Sequence, residues 1–189
     1  MVCSKQFFVI YLMNALSIMT GLFTVTNYKT YAQANGINDD NYFARLGATA
    51  SVCNSIRFIW SAGLDCAAYK LVYGILLGLQ VILTLSMPLV SHSRGAYGLY
   101  VSLIMFCEGG HFSLVPNILR KIYGDRATSV FGLMFSFSGL CSILMLLLQN
   151  WFITSHKHSY NAFFVVNGVL SVISLVLLKC VFTQSKFKA

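Results

Sequence analysis

The residues that could do chemistry are the few charges set inside or beside long apolar runs. Arg57 lies in NSIRFIWSAGLDCAAYK, residues 54–70, a stretch that also holds Asn54 and ends in Asp65 and Lys70. Glu108 and His111 stand together in CEGGHF, residues 107–112. An ionisable group in such a run is costly, so its default reading is functional, with a partner to be named. At a rise of about 1.5 Å per residue, Arg57 and Glu108 differ in depth by only about 6 Å, and both are expected to face the interior.

Two roles fit this pair. In the first, the Arg57 fork binds a substrate carboxylate, Asn54 shares its environment one turn away, and Glu108 couples protons or releases the arginine. In the second, Arg57 and Glu108 form a permanent pair that joins two helices, and loss of either partner is strongly destabilising. His111 follows Glu108 at i+3, on the same helix face. It is either a proton relay or a hydrogen-bonded packing histidine. Asp65 and Lys70 flank a short turn, where a charge pair would orient two helix ends.

These residues sit in a chain of 189 residues that is 57% hydrophobic and only 10% charged. Soluble domains carry about 25% charged residues. The charges cluster in short segments between apolar runs, so the chain reads as all-α and polytopic in a membrane. The net charge of +8 does not point to nucleic acid, because Lys and Arg punctuate apolar runs and form no basic stripe. Cys3, Cys53, Cys66, Cys107, Cys141 and Cys180 form no C-x-x-C pair and read as free thiols acting as small hydrophobes. The first apolar run is too long for the core of a signal peptide and leads into further spans.

A bilayer core needs about 20 apolar residues per helix. On that scale six spans are expected, over 6–27, 44–65, 70–90, 97–118, 128–153 and 161–182, in a single domain covering 1–189. Sheet structure is disfavoured by the length of the runs. Both termini are expected on the cytoplasmic, or insertion, side. That side then holds Lys5, Lys70, Arg120, Lys121, Arg126, Lys179, Lys186 and Lys188, against Lys29, Arg45, Arg94 and Lys157 opposite. The membrane is left open between plasma and organellar, the mitochondrial inner membrane included. Small residues in the third and fifth spans (Gly74, Gly78, Gly132, Ser136, Gly139) predict close helix approach. Pro116 is expected to shape the end of the fourth span.

Residues 54–70 and a second stretch, EGGHFSLVPNILRKIYGDRATSVFGLMFSFSG at 108–139, resemble the C-terminal six-helix half of the major facilitator superfamily. The branch they look most like is the oxalate/formate antiporter and monocarboxylate-transporter-like group. The matching positions are Arg57, Trp60, Gly63, Asp65 and Lys70. The resemblance implies an anion site at Arg57 and a cytoplasmic gating motif at Asp65 and Lys70. It also implies a second six-helix half, as a homodimer or a separate chain, since such carriers hold substrate between halves. The span 128–153 lacks the lysine that the oxalate carriers use, which points to a monocarboxylate or some other substrate instead of a dicarboxylate.

Two functions from different classes follow. One is a half-transporter module for small organic anions, working by alternating access. The other is a non-transporting accessory subunit of a larger membrane complex that keeps the fold. No catalytic motif, phosphate-binding glycine loop or metal-spaced cluster is found, so no enzyme, cofactor or metal is expected.

Overall fold

The structure is a computed structural model and describes residues 5–155 and 160–182. Among these residues the regular structure is helical, with no strand. Backbone polar groups in lipid must be satisfied within the segment, and apolar runs of this length meet that demand by coiling into helices.

The helices are α1 (Lys5–Ala34), α2 (Asp40–Ser55), α3 (Phe58–Cys66), α4 (Tyr69–Val90), α5 (Arg94–Tyr123), α6 (Ala127–Ser155) and α7 (Tyr160–Cys180). Helix α1 packs on α5, α6 and α7, while α5 also touches α2, α3, α4 and α6. The expected loop at 28–43 is mostly helix, because Tyr31 and Ala32 are buried and extend α1 by two turns. The chain then turns at Gly36, whose φ of +86° suits a residue without a side chain. Asp39 starts α2: its Oδ1 accepts from the Tyr42 amide at 3.0 Å, and its Oδ2 lies 3.3 Å from Arg94 Nη1.

Four stretches are long and apolar enough to cross a membrane: Lys5–Ala34, Tyr69–Val90, Arg94–Trp151 and Tyr160–Cys180. The third holds α5, a 3₁₀ turn over Gly124–Arg126, and α6. Gly124 at φ +55° reverses the chain there, and α6 packs back onto α5. The outward faces are apolar, with Leu71, Ile75, Ile82 and Leu89 exposed along one side of α4 and Leu140, Ile143 and Leu147 along α6. Stripes of this kind suit acyl chains and not water. The protein is an all-helical, multi-pass membrane protein.

The expected set of six uninterrupted spans is corrected here. Segment 44–65 is not one helix; it breaks between Ser55 and Phe58 into α2 and α3. Thr49, Ser51 and Ser55 each turn their hydroxyl back to the carbonyl four residues earlier, which competes with regular helix bonding. The break is pinned from outside as well. Asn54 Nδ2 donates to the Met105 carbonyl of α5 at 3.2 Å, and Trp60 Nε1 donates to Phe106 O at 3.1 Å.

Of the expected small residues, Gly74 meets Leu178 of α7 and Ser136 meets Tyr11 of α1, but the closest approaches occur at other glycines. A Cβ on Gly109 would lie 2.6 Å from the Asn54 carbonyl oxygen and 2.9 Å from Arg57 Cβ. One on Gly110 would collide with Leu76 and lie 2.8 Å from the Trp60 ring, whereas Gly78, Gly132 and Gly139 face open space. Pro116 is also corrected, since α5 continues past it to Tyr123. Gly109→Ala is expected to lower stability by about 1–3 kcal/mol, as overpacking does. Gly78→Ala should stay within about 0.5 kcal/mol of the parent. Unfolding in detergent, followed by circular dichroism, compares the two.

Candidate functional site

The E-G-G-H segment of α5 works in two directions. Gly109 and Gly110 admit α2, α3 and α4, while Glu108 and His111 are buried against other helices. His111 lies at the centre of a polar network. Its Nδ1 is 3.1 Å from the Tyr73 hydroxyl of α4, and its Nε2 is 2.7 Å from Gln80 Oε1, also of α4. Tyr73 and Gln80 are seven residues apart and so share one helix face.

Helix α1 supplies the facing partners. The Tyr73 hydroxyl lies 3.1 Å from Asn14 Oδ1 and 3.3 Å from Ser17 Oγ. Gln80 Nε2 donates to the Ser17 carbonyl at 2.6 Å and to Ser171 Oγ of α7 at 3.1 Å. Four helices therefore meet at a single histidine. Buried interhelical bonds of this kind each contribute about 0.6 kcal/mol in a membrane protein.

Glu108 is the neighbour of this network and differs from it. It is 5% exposed, and among the described residues its carboxylate has no hydrogen-bond or ion-pair partner. The carboxylate is pressed against α1 at Gly21, where an added Cβ would run into it. Glycine at position 21 is what makes room for the acid. Nearer the far end of the bundle, Asn27 of α1 and Gln149 of α6 exchange two amide bonds, at 2.9 and 2.7 Å. Tyr31 Oη donates to Asn161 Oδ1 of α7 at 2.6 Å.

The structure separates the other expected site residues from this centre. Arg57 does not face the interior; it is exposed at the α2–α3 break, which corrects the expected orientation. The expected Arg57–Glu108 pair is not formed, because the described ion pairs are Lys29–Asp40 and Arg94–Asp39. The two residues belong to different faces of α5: Glu108 packs on Gly21 of α1, while Arg57 Cβ lies over Gly109. Asn54 is half-buried and spends its amide on α5. Asp65 is exposed, while Lys70 reaches across to the end of α7, donating to Lys179 O at 2.8 Å and Phe182 O at 3.4 Å. That cation suits the orphan carbonyls of a helix C-terminus.

Tyr73, Ser17 and Ser171 were not singled out by the sequence reading. A signal existed, since Asn14, Ser17, Thr20, Thr24 and Asn27 recur every three or four residues along α1. Such spacing marks one polar stripe within an otherwise apolar helix.

No protein-family model matches this chain. Apicoplast pyruvate carrier 1 of Toxoplasma gondii is 30% identical to it over 99 residues, which cover 51% of this chain and 18% of that carrier. The matched stretch thus reaches less than a fifth of the relative's length. The resemblance to a six-helix half of the major facilitator superfamily is not upheld: no model of that family matches, and the second span is broken.

The Glu108–Gly21 contact gives a direct test. Gly21→Ala is expected to cost about 1–3 kcal/mol in the parent, as overpacking does. The cost should shrink by at least about 1 kcal/mol when Glu108→Ala is already present, since contacting residues couple. Detergent unfolding of the two single variants and the double variant measures this.

Proposed function

We propose that the chain is a membrane carrier, or a module of one, for small monocarboxylate-type anions, and not an enzyme. The observation that carries this reading is its 30% identity over 99 residues to a protein named a pyruvate carrier. Pyruvate is a small monocarboxylate. The relative's name also supports an organellar membrane, and the Lys/Arg bias supports both termini on the insertion side.

The anion contact is assigned to Arg57. Its side chain makes no hydrogen bond or ion pair among the described residues, so its fork is free for a carboxylate. Exposed Val52, Ile56, Phe58 and Ile59 surround it in the chain. An arginine on an apolar, outward face needs a second surface to exclude lipid from it. A membrane partner, either a second copy or another chain, completes the site in this reading. Asn54 holds the break at which Arg57 stands, through its bond to Met105 O. Asp65 and Lys70 frame the turn into α4, and Lys70 ties it to α7.

Uptake of labelled pyruvate into vesicles containing the full chain tests the proposal. Saturable uptake is expected, falling at least about tenfold in Arg57→Ala, with Arg57→Lys recovering only part because a lysine lacks the bidentate fork. Absence of saturable uptake, with the chain instead purifying in fixed ratio with other membrane subunits, would favour the accessory-subunit reading. Uptake unchanged in Arg57→Ala would remove Arg57 from the site.

A further inference from the structure

The hydrogen-bond network around His111 can be audited proton by proton. Two amides in it are locked by backbone carbonyls, which only accept. Asn14 Nδ2 donates to the Ile10 carbonyl at 2.8 Å, so Asn14 Oδ1 is the atom that faces Tyr73. Gln80 Nε2 donates to the Ser17 carbonyl at 2.6 Å and to Ser171, so Gln80 Oε1 is the atom that faces His111. Ser17 Oγ donates to the Met13 carbonyl at 2.8 Å and has no second proton to give.

His111 Nε2 must therefore carry a hydrogen, because its neighbour at 2.7 Å is an acceptor. In a neutral imidazole this leaves Nδ1 bare, and the single Tyr73 proton is drawn to it. Asn14 Oδ1, also 3.1 Å from the Tyr73 oxygen, then faces that oxygen with no hydrogen between them. One added proton on Nδ1 resolves the shortage. Nδ1–H then donates to the Tyr73 oxygen, Tyr73 O–H donates to Asn14 Oδ1, and Nε2–H still donates to Gln80. The contacts of His111 with Gln80 and Tyr73, and of Tyr73 with Asn14, then hold one hydrogen each, while the longer Ser17–Tyr73 contact at 3.3 Å holds none.

A carboxylate stands one helical turn along α5 from the imidazolium so formed. Glu108 precedes His111 by three residues on α5, is 5% exposed, and has no hydrogen-bond or ion-pair partner among the described residues. A carboxylate buried in that state requires a proton or a cation close by. We propose that Tyr73, His111 and Glu108 form a buried site that binds one proton, the Tyr73 hydroxyl turning from His111 to Asn14 as the proton is taken up. No covalent bond changes except the new Nδ1–H, and bulk water supplies the proton.

Among the described residues, the side chains packed around the network add no further charged group. Tyr69 of α4 stacks on Tyr73, with ring centres 5.3 Å apart, but makes no hydrogen bond to His111. Cys107, next to Glu108 on α5, is a buried thiol, and Cys141 of α6 donates to Ala15 O at 3.3 Å. Helix α7 contributes Ser171 and Ser174, which do not titrate. Helix α3 contributes Trp60, and Arg57 before it is exposed across Gly109. The site rests on these contacts alone; in the carrier reading it also assigns the coupling ion.

The test uses the full chain in lipid nanodiscs with ¹⁵N-labelled histidine, without any anion substrate, so its outcome is independent of the transport assay. From about pH 9 to about pH 4, the range that brackets imidazole titration, the His111 signals should start as the Nε2–H tautomer. They should then convert to imidazolium, and dye titration should show one proton more taken up per chain than in His111→Gln, the difference cancelling every other titrating group. Glu108→Gln should lose that uptake at least about tenfold, a change of one pH unit or more. Tyr73→Phe should leave the starting tautomer in place while removing the Nδ1 hydrogen-bond signature. A starting Nδ1–H tautomer for the signal that His111→Gln removes, or an imidazole that stays neutral throughout in the unsubstituted protein, would overturn the proposal.

Discussion

Asn14 and Gln80 each give an amide proton to a backbone carbonyl, and through this they decide which atoms face the centre of the bundle. In water such preferences would be lost among competing partners. Inside a bundle, where few alternatives exist, a fixed amide imposes its polarity on the next group along. The next groups are Tyr73 and His111, so helices α1, α4 and α5 are held in one register by a chain of oriented hydrogen bonds. Ser171 brings α7 into the same chain. The apolar contacts around it are permissive, because Leu, Ile and Phe find similar packing against a neighbour or a lipid tail.

The remaining architecture serves this centre by arranging where backbones come close. Gly21 leaves the space that Glu108 fills, and Gly109 and Gly110 let α2, α3 and α4 settle against α5. The consequence for function is a division of the chain into two chemical faces. One is a closed polar core around His111. The other is an outward break at Arg57, where a guanidinium meets an apolar exterior. The two expected partners, Arg57 and Glu108, belong to different faces of α5 and carry different tasks.

Much of this was legible in the residues. The apolar runs announced helices and a membrane, and Glu108 with His111 at i+3 announced a shared buried face, which the structure shows. Depth along the helix axis was read as proximity for Arg57 and Glu108, yet depth says nothing about the rotational side of α5. The break at Ser55–Phe58 was hidden because its cause is tertiary: Asn54 and Trp60 bond to carbonyls of α5 that sequence spacing cannot locate. In the small-residue motif Gly74 meets Leu178 of α7 but Gly78 meets no described neighbour, since a glycine marks close approach only where another helix arrives. Tyr73 escaped notice because a tyrosine in an apolar run looks like packing until its hydroxyl acquires partners.

Tyr73 and His111 act as one hydrogen-bonded unit holding α4 to α5. The most direct measurement is a double-mutant cycle of Tyr73→Phe and His111→Gln on reversible unfolding in detergent. A coupling of about 1 kcal/mol is expected, as for residues in one network. Additivity within about 0.3 kcal/mol would show the two side chains to be independent and would contradict it.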